Sequence, residues 1–325
     1  MQLPIDVKAL IDEATNIDTA RNTPLSVSVY IDEASPADLI AHVRSAFTST
    51  LPTVRLTITY LDDAANPRPL DDMAVIVAGA SEVVGARAAG IRAVGVPVMV
   101  ATSLPQIVAG LATAEGAAIP EGDLISPTVE EPSLAAEPYA LDDDLRASLD
   151  DRMGRWIVAA CHEKRLAFAV AFAFVRRPLA RDAVFSTAVQ NAGVGLVPFI
   201  PGADLPIMTL NQAKMALQIA AAYGQPMGTE RIKEIIAIVG GAFACRTLAR
   251  ELVEFVPVLG FIIRPGIGYT ATTAIGFAII EYFEGGQNLT GVANVASVAL
   301  EKGGKVAKLL SGKLGPLLGA HKRSS

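Results

Sequence analysis

The 325-residue chain is short of charge, of aromatic rings and of sulfur. Charged residues make up 18% of it, where an average protein carries about 25%. Each scarcity excludes something. Two cysteines cannot build a disulfide framework or a four-cysteine zinc site. The three histidines, His42, His162 and His321, are too scattered for a metal-ligand spacing, so no metal is expected. Lys and Arg number 27 against 33 Asp and Glu, and this net charge of -6 excludes a basic nucleic-acid binder. Aromatics are 6%, so Ala, Val, Ile and Leu carry most of the apolar character. What is present in excess is aliphatic residue: the chain is 51% hydrophobic, with a mean hydropathy of +0.42. That excludes a disordered or collagen-like chain. Met1–Ala14 carries acids and lacks the apolar core of a signal peptide.

The charge is unevenly placed. Residues 1–150 hold 22 acidic and 8 basic residues, and residues 151–325 hold 11 and 19. A sign change at mid-chain, on a length that predicts about two domains, points to two parts with different surroundings. Between them, Gly116–Asp150 contains Pro120, Pro127, Pro132 and Pro138, the pair Glu130-Glu131 and the run Asp142-Asp143-Asp144. Such a stretch self-repels and buries little, which predicts an extended linker over 116–150.

The first part reads as α/β. Leu25–Ile31 (LSVSVYI) and Val54–Tyr60 (VRLTITY) alternate and are rich in β-branched residues, as strands are. Met73–Val77 and Val96–Ala101 are short apolar runs suited to buried parallel strands. Ser35-Pro36-Ala37-Asp38 has the cap, the N1 proline and the first-turn acid of a helix start. Helices are also predicted over Ser81–Ala93 and from Ser103-Leu104-Pro105 to about Ala112. Strands alternating with helices predict a mostly parallel sheet.

Ligands of such sheets sit at the carboxyl ends of the strands. After the first strand a phosphate loop needs glycines and a lysine, but the residues are Asp32-Glu33-Ala34-Ser35-Pro36. Two carboxylates there repel an anion. After the third strand, Gly79-Ala80-Ser81-Glu82-Val83-Val84-Gly85 makes Gly79, Ser81 and Gly85 the remaining candidates for cofactor phosphate, without the G-x-G-x-x-G spacing. The order of elements over residues 24–114 resembles the Era-type GTPase domain, with Asp72–Val77 and Pro97–Val100 fitting two of its strands. The guanine motif of that family is replaced by Ala101-Thr102-Ser103-Leu104. The resemblance therefore implies a degenerate, non-hydrolysing pseudoenzyme with no bound cofactor.

The second part, residues 151–290, is read as an all-α hydrophobic domain. Val184–Ala203 is 20 residues without a charge, and Phe255–Ile280 is 26 residues with only Arg264. Both reach membrane-spanning length, although Pro198, Pro201, Pro257 and Pro265 interrupt them. Gly268, Thr272 and Gly276 recur at four-residue spacing, which predicts a small-residue face where another helix approaches closely. Arg152, Arg155, Lys164, Arg165, Arg176, Arg177 and Arg181 precede the first window, and six further Lys and Arg residues follow Gly291. Basic flanks predict an even number of crossings with both termini in the cytoplasm. Arg264, as an ionisable residue within a window, is a functional candidate, with Asp204, Glu281 and Glu284 as possible partners; the bland alternative is an interfacial turn. Residues 291–325 read as a basic amphipathic tail able to lie on an anionic lipid surface.

Several motifs of this part resemble the bacterial YcjF-like membrane domain of unknown function: Phe199-Ile200-Pro201-Gly202-Ala203-Asp204, Gly240-Gly241, Arg250-Glu251, Val256-Pro257-Val258-Leu259-Gly260 and Ala271-Thr272-Thr273-Ala274-Ile275-Gly276. The match spans about residues 183–285. It implies a bacterial inner-membrane protein, with the bilayer and a protein partner or a second copy as its contacts, and brings no catalytic residue. Cys161-His162-Glu163 is the one thiol–imidazole neighbour pair. Adjacent residues on a helix point about 100° apart, so it does not make a nucleophile–base pair. The combined expectation is a non-enzymatic integral membrane protein with a partner-binding or regulatory α/β domain over residues 1–115. An atypical nucleotide-binding protein and a pore or transporter are the alternatives.

Overall fold

The computed structural model describes residues 6–61, 67–128, 140–196, 204–236, 239 and 260–285. Two compact units divide the chain. One comprises Asn16–Ala180 with Ala221–Gln225, and the other Met1–Thr15, Arg181–Ala220 and Pro226–Ser325.

The first unit is the α/β unit. Its strands are β1 (Leu25–Ile31), β2 (Val54–Tyr60), β3 (Met73–Ala78), β4 (Val98–Thr102) and β5 (Leu124–Ile125). All neighbours are parallel, in the doubly wound order β2-β1-β3-β4-β5. The expected parallel sheet is thus present. Helix α1 (Val7–Arg21) precedes the sheet, α2 (Ala37–Ala46) joins β1 to β2, α3 (Val83–Ala93) joins β3 to β4, and α4 (Pro105–Ala114) leads from β4 towards β5.

Side chains alternate between the faces of each strand. On one face Val27, Val29, Val75, Val77 and Met99 pack against Leu39, Val43 and Phe47 of α2. The same core takes in α5 (Asp143–Ala160), α6 (Arg165–Ala171) and the first turns of α7 (Ala173–Leu196). On the other face Ala74, Ile76, Val98 and Val100 pack against Val84, Ala88 and Ile91 of α3 and Val108 of α4. β3 and β4 are buried along their whole length. β2, at the sheet edge, is not: Ile58 and Tyr60 are exposed.

Residues 116–150 depart from the expected extended linker. They contain a 3-10 turn (Glu121–Asp123), strand β5 and the first turns of α5, while residues 129–139 lie outside those described. Asp123 explains the local order. Its carboxylate accepts from Trp156 Nε1 on α5 at 3.0 Å and pairs with Arg92 on α3 at 3.0 Å. The aspartate run opens a helix instead of repelling itself. Asp142 caps α5 by accepting from the Leu145 N–H at 2.8 Å, and Asp143 and Asp144 occupy its first turn. α2 holds this entry: Asp38 accepts from the Leu141 N–H, and His42 meets Asp150 at 2.8 Å.

The second unit is helical. Its described parts include the later turns of α7, α8 (Asp204–Ala222), a helical stretch over 229–236 and α9 (Gly260–Glu284). The spanning reading of the windows is overturned here: among the described residues no helix is long and apolar enough to cross a membrane. The physical reason lies along each helix. α7 carries Arg176, Arg177, Arg181 and Asp182 ahead of the charge-free stretch, and its helix is described only to Leu196. α9 contains Arg264 and dilutes its aliphatics with glycine, threonine and tyrosine. The apolar residues of the windows cover one another, since Val184, Ala188, Ile279 and Ile280 are buried within this unit. With the spans gone, the transmembrane reading, the inner-membrane placement and the cytoplasmic assignment of both termini lose their basis.

The small-residue face does bring helices together. A Cβ on Gly268 would stand 2.9 Å from the Asn191 carbonyl oxygen of α7, and one on Gly276 would stand 2.4 Å from Val184 Cγ2. Between them Thr272 Oγ1 accepts from Asn191 Nδ2 and from Gln212 Nε2, each at 2.9 Å. Asn211 on α8 donates to Asn191 Oδ1 at 2.9 Å. Asn191, Gln212 and Thr272 are fully buried. This satisfied polar cluster fixes the register of three helices. Nearby, Lys214 pairs with Glu13 at 3.0 Å, and Tyr282 donates to Glu234 at 2.8 Å.

Gly276→Ala tests the contact. Alanine is the better helix former by about 1 kcal/mol, but the added methyl meets a stiff, buried valine. Overpacking of about 1–3 kcal/mol is expected to win, so the denaturant midpoint falls; a raised midpoint contradicts the contact.

Candidate functional site

The usual ligand position of a sheet with this order is the crevice at the carboxyl ends of β1 and β3, where neighbouring connections leave in opposite directions. Here that crevice is closed by the chain itself. Asp32, buried at the end of β1, accepts the Gly79 N–H at 2.9 Å and the Ala34 N–H at 3.2 Å. Its own N–H donates to the Val77 carbonyl at 3.0 Å, and Ser35 Oγ donates to the same oxygen at 2.8 Å. A Cβ on Gly79 would lie 2.1 Å from the Ala34 carbonyl oxygen, so the two loops touch through backbone. The Asp32 carboxylate occupies the place where a phosphate would meet the Gly79 N–H.

The other phosphate candidates stand apart from a ligand position. The Ser81 N–H donates to the Gly79 carbonyl at 3.0 Å. Gly85 faces Ala112 of α4 and the Ala117 carbonyl, at 2.7 and 2.5 Å from its ideal Cβ, and serves helix packing. Arg264 lies on α9 and Asp204 opens α8, with side chains outside the described residues. Glu281 lies 17 residues beyond Arg264 on α9, about 25 Å along the axis at 1.5 Å per residue. That separation removes Glu281, and Glu284 after it, as ion-pair partners. Gly268, Thr272 and Gly276 form the helix contact described above. Among the described residues no group of three His, Cys, Asp or Glu side chains is placed to hold a metal ion. The resemblance motifs at 199–203 and 240–259, the second cysteine, Cys245, and the tail after 285 lie outside the described residues.

The open region of the α/β unit is elsewhere. Helices cover both faces of β3 and β4, but the described residues of the β2–β3 connection, Leu61 and Pro67–Asp72, contain no helix. On that face Ser28 and Tyr30 of β1 are buried, at 1% and 3% exposed, and it is β2 that is left open, at Arg55 and Thr59. Ser26, Ser28 and Tyr30 of β1 project there beside Arg55, Thr57 and Thr59 of β2, as the register Ser26↔Arg55 requires. With Pro67–Leu70 as a rim, Ser28, Tyr30, Arg55, Thr57, Ile58 and Thr59 line a groove of about 700 Å³.

A buried carboxylate organises its floor. Asp71, with a side chain 2% exposed, accepts from Ser26 Oγ at 2.6 Å, from Ser28 Oγ, and from Arg55 Nη2 at 3.3 Å. Arg55 also donates to Ser26 Oγ through Nε and Nη2 at 2.9 and 2.7 Å. Arg68 Nη1 donates to Thr57 Oγ1 at 2.9 Å. Two guanidinium groups are therefore aimed across a hydroxyl-lined surface. Among the described residues, Nη1 of Arg55 and Nη2 of Arg68 take no hydrogen-bond partner, and the buried Asp71 carboxylate beside the groove is already shared by three donors. Next to the groove, Asp72 accepts from the Ser26 N–H at 2.8 Å and pairs with Lys164 at 2.6 Å.

Sequence reasoning passed over Arg55, Arg68 and Asp71. The signal was present in the alternation itself. Parallel strands buried on both faces read as continuous apolar runs, as β3 and β4 do. Polar residues at every second place in β2 mark its open face, whereas in β1 Ser28 and Tyr30 are buried.

Cys161 closes α5, and its Sγ donates to the Asp72 carbonyl at 3.9 Å. Burial first, and the Asp72 carboxylate second, push this thiol from 9.0 up to about 12. Its burial makes it a structural thiol, although Cys161 and His162 stand in the turn after α5 and not on the helix that the sequence argument assumed.

No family model matches the chain, and neither a curated protein nor a solved structure is significantly similar to it.

Two outcomes are expected. Gly79→Ala forces two backbone segments apart and Asp32→Ala strips a buried N–H of its acceptor, which costs about 1–3 kcal/mol; both variants should melt at lower temperature, with Gly79→Ala the worse. In a Cys245→Ala background, iodoacetamide should label Cys161 at pH 8 only after unfolding. Since the folded thiol at about 12 lies above its ordinary 9.0, its stabilising contribution is full below pH 9 and declines as pH rises towards 12. Rapid labelling of the native protein contradicts the burial.

Proposed function

We propose that the chain is a ligand-binding protein without hydrolase chemistry, and that the open face of β2 takes a small organic oxyanion, a carboxylate or a phosphate monoester. The observation that carries this reading is the convergence of Arg55 and Arg68 on one hydroxyl-lined groove. Guanidinium forks suit oxyanions because two parallel N–H donors match two oxygens. Thr57 and Thr59 supply hydroxyls for the remaining acceptors. The closed crevice at β1 and β3 supports placing the ligand here. So does the orientation of Arg55, which its bonds to Asp71 and Ser26 fix before any ligand arrives, lowering the ordering cost of binding. The absence of a phosphate loop and of a guanine motif leaves this face without a device for cleaving a phosphoanhydride. The likeness of residues 183–285 to YcjF-like domains, a family with no established activity, adds no substrate.

The test is calorimetry of the full chain with citrate and with a sugar phosphate. Saturable binding that weakens as salt rises is expected for at least one of them. Arg68→Ala is the cleaner variant, because Arg55→Ala would leave buried Asp71 without its cation. It should weaken binding at least tenfold, and Arg68→Lys should restore little of the loss, since an ammonium lacks the planar fork. No saturable binding of either anion, or binding untouched by Arg68→Ala, overturns the proposal.

A further inference from the structure

The outer edge of β2 is the second unoccupied feature of this unit. Among the described residues, no strand pairs with it. In a parallel pair each residue directs its N–H and its C=O to the same side, and successive residues alternate. The Thr53 carbonyl accepts from the Leu25 N–H at 2.9 Å, and the Leu61 N–H donates to the Ile31 carbonyl at 2.7 Å. Odd-numbered residues of β2 therefore serve β1. The N–H groups of Leu56, Ile58 and Tyr60 point outwards, while that of Val54 is taken by the Leu51 carbonyl at 3.1 Å. Edges of this kind are usually blunted by proline, a bulge or several charges. β2 is seven residues long and has neither proline nor a second charge besides Arg55.

We infer that this edge pairs with the same edge of a second copy of the chain, antiparallel, about a two-fold axis at Thr57. Three properties of the strand choose a copy of itself. Outward-facing residues must meet outward-facing residues, and a two-fold at Thr57 sets Leu56 opposite Ile58 of the second copy and Val54 opposite its Tyr60. Each Leu56–Ile58 pair exchanges two hydrogen bonds, and each Tyr60 N–H meets a Val54 carbonyl. Apolar side chains then lie beside apolar ones, which covers Ile58, now 38% exposed, and Tyr60, now 57% exposed. Arg55 falls opposite Thr59 and away from the other Arg55, so no like charges face each other. Strand addition at an open edge is an established recognition mode; a symmetric dimer is its isologous form.

The same geometry supplies a selective test. Ile58→Pro removes an outward N–H that β1 does not use, and edge strands tolerate proline there. Sedimentation of the full chain should show a concentration-dependent dimer for the natural sequence and at least tenfold weaker association for Ile58→Pro, with an unchanged circular dichroism spectrum. Thr57→Pro removes an N–H of the β1 ladder and should unfold the unit at lower denaturant. Thr59→Arg places two arginines opposite each other and should weaken the dimer. Thr59→Glu, opposite Arg55 of the other copy, should strengthen it. These two leave the backbone untouched and keep the test valid even where Ile58→Pro misfolds. A natural chain that stays monomeric at all concentrations, or a dimer indifferent to both Thr59 variants, overturns the inference.

Discussion

A parallel sheet is stable when both of its faces are covered, and in this unit one stretch of one face is not. The β2–β3 connection brings no described helix, so the outer part of the sheet must be finished by other means. Asp71 does it. Its buried carboxylate takes hydrogen bonds from Ser26 and Ser28 and the cation of Arg55, which ties the open strand β2 to the buried polar groups of β1. An isolated buried carboxylate would be costly. With three donors converging on it, the charge is compensated and Arg55 is held in one orientation. Asp72, next in the chain, ties the same region to Lys164 and the Ser26 N–H. The paired aspartates at the entrance of β3 thus do at the open face what a helix does over the rest of the sheet.

The opposite end of the strands follows the complementary logic. Asp32 and Gly79 close the crevice where sheets of this order hold their ligands. The sequence told half of this: two carboxylates after β1 argue against an anion. It did not tell that one of them folds inwards to satisfy the Gly79 N–H, because that contact joins residues 47 apart. Strand bounds were legible at β1 and β2, where alternation is clean, and the apolar runs of β3 and β4 were found to within a residue or two. β5 was not legible. Two residues carry no period, and Leu124–Ile125 is held by Asp123 and its bonds to Trp156 and Arg92. The aspartate run at 142–144 was read by composition as self-repelling. Position decides instead: acids at a helix N-terminus are favourable.

The helical unit shows why a count of uncharged residues misleads. Charge-free windows measure what is absent, and a bilayer and a protein interior both select for that absence. The discriminating feature is what the small and polar residues do. Thr272 accepts from two amides, and Gly268 and Gly276 let α7 come close. The four-residue spacing predicted this contact correctly, because it rests on helix geometry and not on the solvent outside. The inference of membrane spans rested on charge-free length, basic flanks and a family resemblance, and it failed where α7 and α9 carry charges within the helix.

The open face and the open edge belong to the same strand, and one constraint links them. Side chains of β2 alternate between faces while its backbone groups alternate between β1 and the outside, both with a period of two. The residues whose N–H groups point outwards are therefore those whose side chains alternate with Arg55, Thr57 and Thr59, although Ile58 still borders the groove. Leu56, Ile58 and Tyr60 belong to the edge, and Arg55, Thr57 and Thr59 belong to the groove. A strand that used one parity for both purposes would have to give up its ladder to β1 or its polar surface. The separation has a further consequence. A two-fold axis perpendicular to the sheet keeps equivalent faces on the same side, so pairing at the edge sets two open faces next to each other across Thr57. Arg55 of one copy then stands beside Thr59 of the other, at the border of both grooves.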